Sequence, residues 1–232
     1  MALHILYSND LHNHAAPLAW VEKLRSEHSL LLDAGDAIAG SNTAFRWQEP
    51  ILWRMRELGY EAMTMGNREF HYFRWVHRWR EQERAFPLLA CNLQDLRQPQ
   101  WAWRPYLQRA RQDIRVAIVG ATPVQYPVGS RWERLTGFRF LDPDICLPPL
   151  FESLRPQSDV VIFLSHLGLQ ADLKLASRGL PVDLILGGHS HDFTPEPIWR
   201  GPTALVHGGS NGRYLGELLW DGDLRWKAHA CA

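Results

Sequence analysis

Three observations predict an α/β fold for this chain. Apolar stretches of strand length alternate with amphipathic helical stretches through most of the sequence. Several apolar stretches are nearly continuous, as strands buried on both faces are. The C-terminal end reads as strand alone, which predicts a second sheet or antiparallel additions to the first.

The elements follow in order. Residues 3–9 (LHILYSN) read as a buried strand ending in polar residues. Residues 16–27 read as a helix with Leu18, Val21 and Leu24 on one face, and 29–33 (SLLLD) as a second buried strand. A helix over 47–58 is closed by Gly59, which suits a C-cap. A short strand at 62–65 enters Gly66-Asn67, a charged, Trp-bearing helix covers 72–84, and 86–93 reads as one strand. The strand at 114–122 is paired with 103–110, and the Pro-, Gly- and aromatic-rich stretch 123–143 reads as irregular. Helices are expected at 147–154 and 171–178, and buried strands at 159–165 and 182–186. Strands at 203–207, 214–220 and 224–229 complete the chain, with Asp221-Gly222 as a hairpin turn. Nothing in residues 1–232 reads as a linker or repeat, so one domain is expected.

The 232 residues carry 25 Lys+Arg and 25 Asp+Glu. That balance argues against a nucleic-acid-binding role, although a nucleic acid could still be a substrate. The three cysteines, Cys91, Cys146 and Cys231, are widely spaced and form neither a disulfide framework nor a zinc knuckle. The N-terminus lacks the pattern of a secretory signal, and no apolar run approaches the ~20 residues that span a bilayer, so a cytoplasmic protein is expected. The eleven tryptophans are read as a Trp-rich core with partly buried surface rings, or as an aromatic interface between copies of the chain.

Chemistry concentrates just after the strands. Five strand ends carry Asp10 and His12, Asp36, Asn67, His166, and His189 with His191. Ligand sites in open α/β sheets form at such ends. Alternate residues leaving a strand point the same way, so Asp10-x-His12 and His189-x-His191 can each present two ligands to one ion. The adjoining glycines allow tight turns and close approach, and the Asp36 carboxylate can bridge two cations held ~3.5–4 Å apart. The mixed oxygen and nitrogen set suits Mn, Fe, Zn or Co rather than Ca. Taken singly, each residue has a plainer reading: Asp10 as a helix cap, His166 as a hydrogen-bonded core histidine, Gly66-Asn67 as a turn. Their joint occurrence favours the metal site.

The ordered set Asp-x-His, Gly-Asp, Gly-Asn-x-Glu, Ser-His and Gly-His-x-His, in the contexts SNDLH, LLLDAGD, YEAMTMGNREF, VVIFLSHLG and VDLILGGHSH, resembles the calcineurin-like metallophosphoesterases. Within them it is most similar to the catalytic domain of the 5′-nucleotidase and UDP-sugar hydrolase branch, from residue 4 to about residue 220. The resemblance implies a four-layer α/β/β/α sandwich with two mixed sheets flanked by helices. It implies two divalent metal ions, with manganese favoured over iron, zinc, cobalt or nickel. Asp10, His12 and His191 would hold the first, Asn67, His166 and His189 the second, and Asp36 would bridge them. The implied reaction is hydrolysis of a nucleotide-like phosphomonoester or phosphodiester, with a hydroxide that bridges the metals attacking phosphorus and no covalent enzyme intermediate.

Two departures stand out. Arg68 replaces the usual His of Gly-Asn-His-Glu, and arginine stays protonated, which makes it a poor general acid but a good phosphate clamp. His14, His71 and His207 are the substitute acids nearest in sequence or to a strand end, while His71 and His77 also read as a solvated helix face. Arg68 has a plain alternative as a salt-bridge partner of Glu69. The second departure is length: a nucleoside-recognition domain is not expected within residues 1–232. Arg68, His207 and Asn211 are the candidate substrate contacts, with Asn42, Asn92 and Arg213 as further rim residues, and Asp33 is read as structural. The alternative function is a catalytically weak metal-binding module, motivated by Arg68. Hydrolysis of a sulfur-containing ester is a third reading, because related branches alter the same His.

Overall fold

In the computed structural model of the chain, the described residues are 2–101 and 103–231. The strands, in chain order, are β1 (Leu3–Ser8), β2 (Leu30–Asp33), β3 (Ala62–Thr64), β4 (Leu88–Leu89), β5 (Leu93–Asp95), β6 (Tyr106–Arg111), β7 (Ile114–Ala121), β8 (Phe138–Phe140), β9 (Val160–Ser165), β10 (Leu184–Gly187), β11 (Ile198–Arg200), β12 (Thr203–His207), β13 (Tyr214–Trp220) and β14 (Leu224–Ala230). The helices are α1 (Ala16–Leu24), α2 (Pro50–Leu58), α3 (Arg74–Arg84), α4 (Arg131–Thr136), α5 (Pro143–Leu154) and α6 (Leu169–Ala176).

Two six-stranded mixed sheets run β14-β13-β1-β2-β3-β4 and β11-β12-β10-β9-β7-β6. The strand period of two decides which side each residue serves. Leu3, Ile5 and Tyr7 of β1 face the second sheet and meet Ile118, Ile162, Leu184 and Val206 there. Leu6 and Leu31 face outward against Leu18 and Val21 of α1 and Ile51 and Met55 of α2. On the far side Val161, Phe163, Ile185 and Leu205 pack on Leu147 and Phe151 of α5 and Leu175 of α6. Three apolar layers therefore separate four layers of secondary structure, the α/β/β/α sandwich. No helix among the described residues is long and apolar enough to cross a membrane.

Four expectations change. The stretch 86–93 is not one strand. β4 ends at Leu89, Cys91 N then bonds Gly120 O, and β5 pairs with β8 in a separate two-stranded sheet. The stretch 123–143 is not irregular. It holds α4, whose Ser130 side chain caps Glu133 N and whose Gly137 ends it at φ +77°, and then β8. α5 begins at Pro143 rather than 147, because the Asp142 side chain accepts from Asp144 N and caps it there. The edge strand β11, three residues long, was not expected.

The tryptophans do not build the core. Trp103 is buried, whereas Trp47, Trp53, Trp75, Trp79, Trp132 and Trp199 are exposed. α3 shows why: it buries Val76, His77, Arg80, Glu83 and Arg84 and turns Trp75 and Trp79 outward. Its inward face is polar because it meets the buried carboxylate of Glu49 and the carbonyl of His71. His71 and His77 are accordingly buried, not on a solvated face.

Candidate metal centre

The sheets bring the C-terminal ends of β1, β2, β3, β9 and β10 to one edge of the sandwich, because β1–β2–β3 and β7–β9–β10–β12 all pair in parallel. All seven expected ligands converge there. Asp10, His12 and His191 present ligand atoms within 4.8 Å of one another, and so do Asp10, Asp36 and His166. His189 Nδ1 lies 2.9 Å from Asn67 Oδ1, and the rings of His166 and His189 are 5.1 Å apart.

The backbone is bent to achieve this. Asp10, His12, Asp36, His189 and His191 all have positive φ, between 45° and 77°. For a side-chain-bearing residue that conformation costs about 1–2 kcal/mol, and such costs gather where function requires them. The loops are locked to each other by Asp10 N to Gly35 O (2.9 Å), His12 N to Asp36 O (3.0 Å) and Asn211 N to Asp10 O (2.7 Å). Two glycines are required. Gly35 has φ +90°, and a Cβ on Gly188 would lie 2.8 Å from Asp10 Oδ2.

The hydrogen bonds leave ligand atoms free. Asp10 Oδ2 accepts from Asn9 Nδ2 and His189 N, while Oδ1 is buried without a partner. His166 is fully buried. Its Nδ1–H donates to Ala34 O at 2.6 Å, so Nε2, 3.4 Å from Asp36 Oδ1, is the nitrogen that a cation would take in place of a proton. Nε2 has no hydrogen-bond partner. A backbone carbonyl that fixes the tautomer of a ligating histidine is the usual outer support of a metal site. Unpartnered buried acceptors facing carboxylates fit divalent cations.

The electrostatics agree. Burial alone would lower the pKa of His166, but the Asp36 and Asp10 carboxylates raise it to about 9. Burial would raise Asp36, yet His166 and the Arg68 N–H hold it below the ordinary value. His12 is lowered by burial and then by the Arg68 charge, and His189 by burial and then by His166. The pocket thus attracts positive charge to its carboxylate floor and keeps two rim imidazoles neutral.

The other expected residues separate. Arg68 N donates to Asp36 Oδ1 (2.8 Å), Nη1 donates to Ala39 O (2.9 Å), and Nε lies 3.7 Å from Asp36 Oδ2. Asn211 is exposed at the rim, with its Nδ2 donating to Ser210 Oγ at 3.0 Å. His207 does not line the cleft: it is fully buried, its Nε2 is 2.9 Å from Asp172 Oδ2, and Asp172 also accepts from Ser165 Oγ. His71 is buried beside Phe45, and His14 is exposed. Asn92 is structural, pairing with Thr122 N and O, and so is Asp33, which accepts from Ser8 Oγ and Gly35 N.

Sequence reasoning missed two residues. Glu69 does not pair with Arg68; its buried carboxylate accepts from Asp36 N, Gly66 N and Ile38 N, and burial and Asp36 push its pKa up to about 7. Asp172 looked like an ordinary helical charge. The Glu of Gly-Asn-x-Glu signalled the first, and nothing local signals the second.

Comparison with known proteins agrees with this geometry. Residues 3–193 match the calcineurin-like phosphoesterase family. The chain is 30% identical to Protein UshA of Yersinia enterocolitica over 81% of its own length and 40% of the relative's. It is 28% identical to a 5′-nucleotidase of Vibrio cholerae, over 94% of this chain and 48% of that one. It therefore spans less than half the length of these curated relatives. The crystal structure of a 5′-nucleotidase precursor from Thermus thermophilus superposes with a TM-score of 0.81 at 23% identity, covering 100% of this chain and 55% of that chain. On its matched sequence and its four-layer fold, this chain belongs to the calcineurin-like phosphoesterase family, hydrolases of phosphate esters.

Proposed function

We propose that the chain is a dinuclear metal-dependent phosphoesterase that acts on a nucleotide-like phosphomonoester or phosphodiester. The observation that carries this reading is the clustering of Asp10, His12, Asp36, His166 and His191, with Asp10 Oδ1 and His166 Nε2 buried and unpartnered and with the Asn67–His189 pair beside His166. Asp10, His12 and His191 would hold one cation, Asn67, His166 and His189 the other, and Asp36 both. When bound, the two cations polarise the phosphoryl oxygens and make water a competent nucleophile at neutral pH. The mixed oxygen and nitrogen donor set suits Mn, Fe, Zn or Co, and manganese is favoured among them only by the family resemblance. The nucleotide-like substrate rests on the 5′-nucleotidase relative.

The protein's own groups do the rest. The carbonyl of Ala34 holds His166 in the tautomer that frees Nε2. Arg68 is about one-third exposed, with Nη1 donating to Ala39 O and Nε 3.7 Å from Asp36 Oδ2. That leaves a fixed cation beside Asp36 for a phosphate or leaving-group oxygen. Arg68 neutralises charge without giving up a proton, so esters with good leaving groups should turn over fastest.

The test measures metal per chain and then turnover of p-nitrophenyl phosphate, bis-p-nitrophenyl phosphate, nucleoside monophosphates and sulfate esters with Mn, Fe, Zn, Co or Ni. Metal-dependent turnover that falls at least about 100-fold in Asp36→Asn is expected. Loaded protein that turns over none of these favours the second reading, a catalytically weak metal-binding module. That reading is motivated by Arg68 and predicts that Arg68→His creates activity.

A further inference from the structure

A partly enclosed cavity of about 150 Å³ lies between α2, α3 and the outer face of the first sheet, behind the loop that carries Asn67. Leu52 of α2, Met63 of β3, Leu88 of β4 and Trp103 supply apolar wall. Two arginines of α3 also line it, and they differ. Arg80 is saturated, donating to Glu83 and to the carbonyl of Arg46 and lying 3.6 Å from Glu49 Oε1. Arg84 is 7% exposed, and among the described residues its guanidinium makes a single hydrogen bond, Nε to Phe86 O at 2.7 Å. Its two terminal nitrogens are left without an acceptor.

The terminal nitrogens are not sealed from solvent, so an anion in the cavity would take the place that water holds on them. Burial lowers the Arg84 pKa to about 10, so the group is still charged at neutral pH. The chain's own carboxylates do not take the fork. Glu69, in the same wall, is used by three backbone N–H groups. Glu81, one turn earlier on α3, is exposed and makes no ion pair with Arg84. A planar carboxylate matches the two terminal nitrogens end-on, with two parallel N–H···O bonds. The cavity, apolar along Leu52, Met63, Leu88 and Trp103 and charged elsewhere, is at roughly 150 Å³ large enough for a body the size of benzene.

We propose that this cavity is a second ligand site, separate from the metal centre, that binds a monocarboxylate with a compact apolar body, its carboxylate on Arg84 and its body against Leu52, Met63, Leu88 and Trp103. A dianion such as phosphate fits poorly, because Glu69 and Glu81 share the cavity wall. The exposed Arg104 at its lining adds positive charge toward solvent.

The probe is benzoate, titrated calorimetrically into the full chain. Saturable binding at one site per chain is expected, with benzyl alcohol, the uncharged counterpart, about tenfold or more weaker. Inorganic phosphate should not compete. Arg84→Met should lose binding about tenfold or more, while Asp36→Asn binds as the unmodified chain does, which separates this site from carboxylate capture at the metals. Leu52→Phe, which fills the cavity and leaves the cation alone, should also lose it, and decides the matter if Arg84→Met does not fold. Absence of saturable binding overturns the proposal. So does equal binding of benzyl alcohol, retention in Leu52→Phe, or loss in Asp36→Asn.

Discussion

The two sheets deliver their shares of the metal centre by different means. On the second sheet, β9 pairs with β7 through six residues, and β10 pairs on both sides over its whole length. His166, His189 and His191 follow directly from these ladders. On the first sheet, β3 is three residues long and meets β2 at only two positions, Leu32 with Ala62 and Asp33 with Met63. Asn67 and Arg68 hang from that short strand. What fixes them is Glu69, whose one carboxylate ties the Asp36 loop to the Gly66 loop through Asp36 N (2.8 Å), Gly66 N (3.0 Å) and Ile38 N (3.3 Å). The second-sheet half is held by repeated backbone pairing, whereas the Asn67 loop of the first sheet relies on the Glu69 carboxylate together with the bond from Arg68 N to Asp36 Oδ1. Removing one group should therefore harm the first-sheet half far more.

Glu69→Ala breaks the comparison most sharply. It leaves three backbone donors, two of them buried close to Asp36, without an acceptor, at a cost of roughly 1–3 kcal/mol each. A loss of about 3 kcal/mol or more is expected in urea denaturation, together with loss of metal from the purified protein. Glu69→Gln keeps one acceptor oxygen and should lose less. If both variants denature as the unmodified chain does, the carboxylate does not hold the loops.

On the second sheet the comparable change is Asp172→Ala. It leaves Ser165 Oγ and His207 Nε2 without their buried partner, and both residues sit at strand ends beside the histidine ligands. The strand ladders remain, so the expected loss is smaller, about 1–3 kcal/mol, with cation affinity weakened rather than abolished. Equal metal loss in Asp172→Ala and Glu69→Ala would show that the two halves are held alike.

The same contrast explains what could be read from the sequence. Asp10 and His189 were legible because each lies two residues beyond an apolar strand, with His12 and His191 two residues further on, although left-handed backbone and not strand alternation turns each pair into the cleft. Glu69 and Asp172 act across 33 and 35 residues, on Asp36 and His207; the Gly-Asn-x-Glu pattern marks Glu69 without naming its partner, and nothing local marks Asp172. His207 does sit at a strand end, but its side chain turns back into the sandwich. The run 86–93 is apolar throughout most of its length, so its composition could not show where the chain leaves the sheet. α3 reverses the reading of 72–84 as a charged, Trp-bearing helix with His77 on a solvated face. Its buried stripe is Val76 with His77, Arg80, Glu83 and Arg84, whose charges are met by one another, by Glu49 and by nearby carbonyls, that of Arg46 among them, and its tryptophans face solvent.

That inverted helix gives the smallest predicted effect. His77 is buried against Phe70, Trp103 and Phe138, with Nε2 2.7 Å from His71 O. Burial lowers its pKa to about 3, further lowered by the His71 and Arg84 charges and partly offset by the bond to His71 O and by Asp95. The unfolded chain holds this proton below about pH 6.5. Between that pH and about 3 the unfolded state therefore binds more protons than the folded state, and stability falls as the pH falls. The contribution is fully present above pH ~6.5 and is lost toward the folded pKa, at up to about 1 kcal/mol per pH unit. His77→Phe gives up the bond to His71 O and should be less stable at pH 7. It should also show a shallower decline in urea midpoint between pH 7 and pH 5. An unchanged slope would mean that His77 takes up its proton in the folded protein, and that the polar face of α3 is open to water rather than sealed beneath the first sheet's loops.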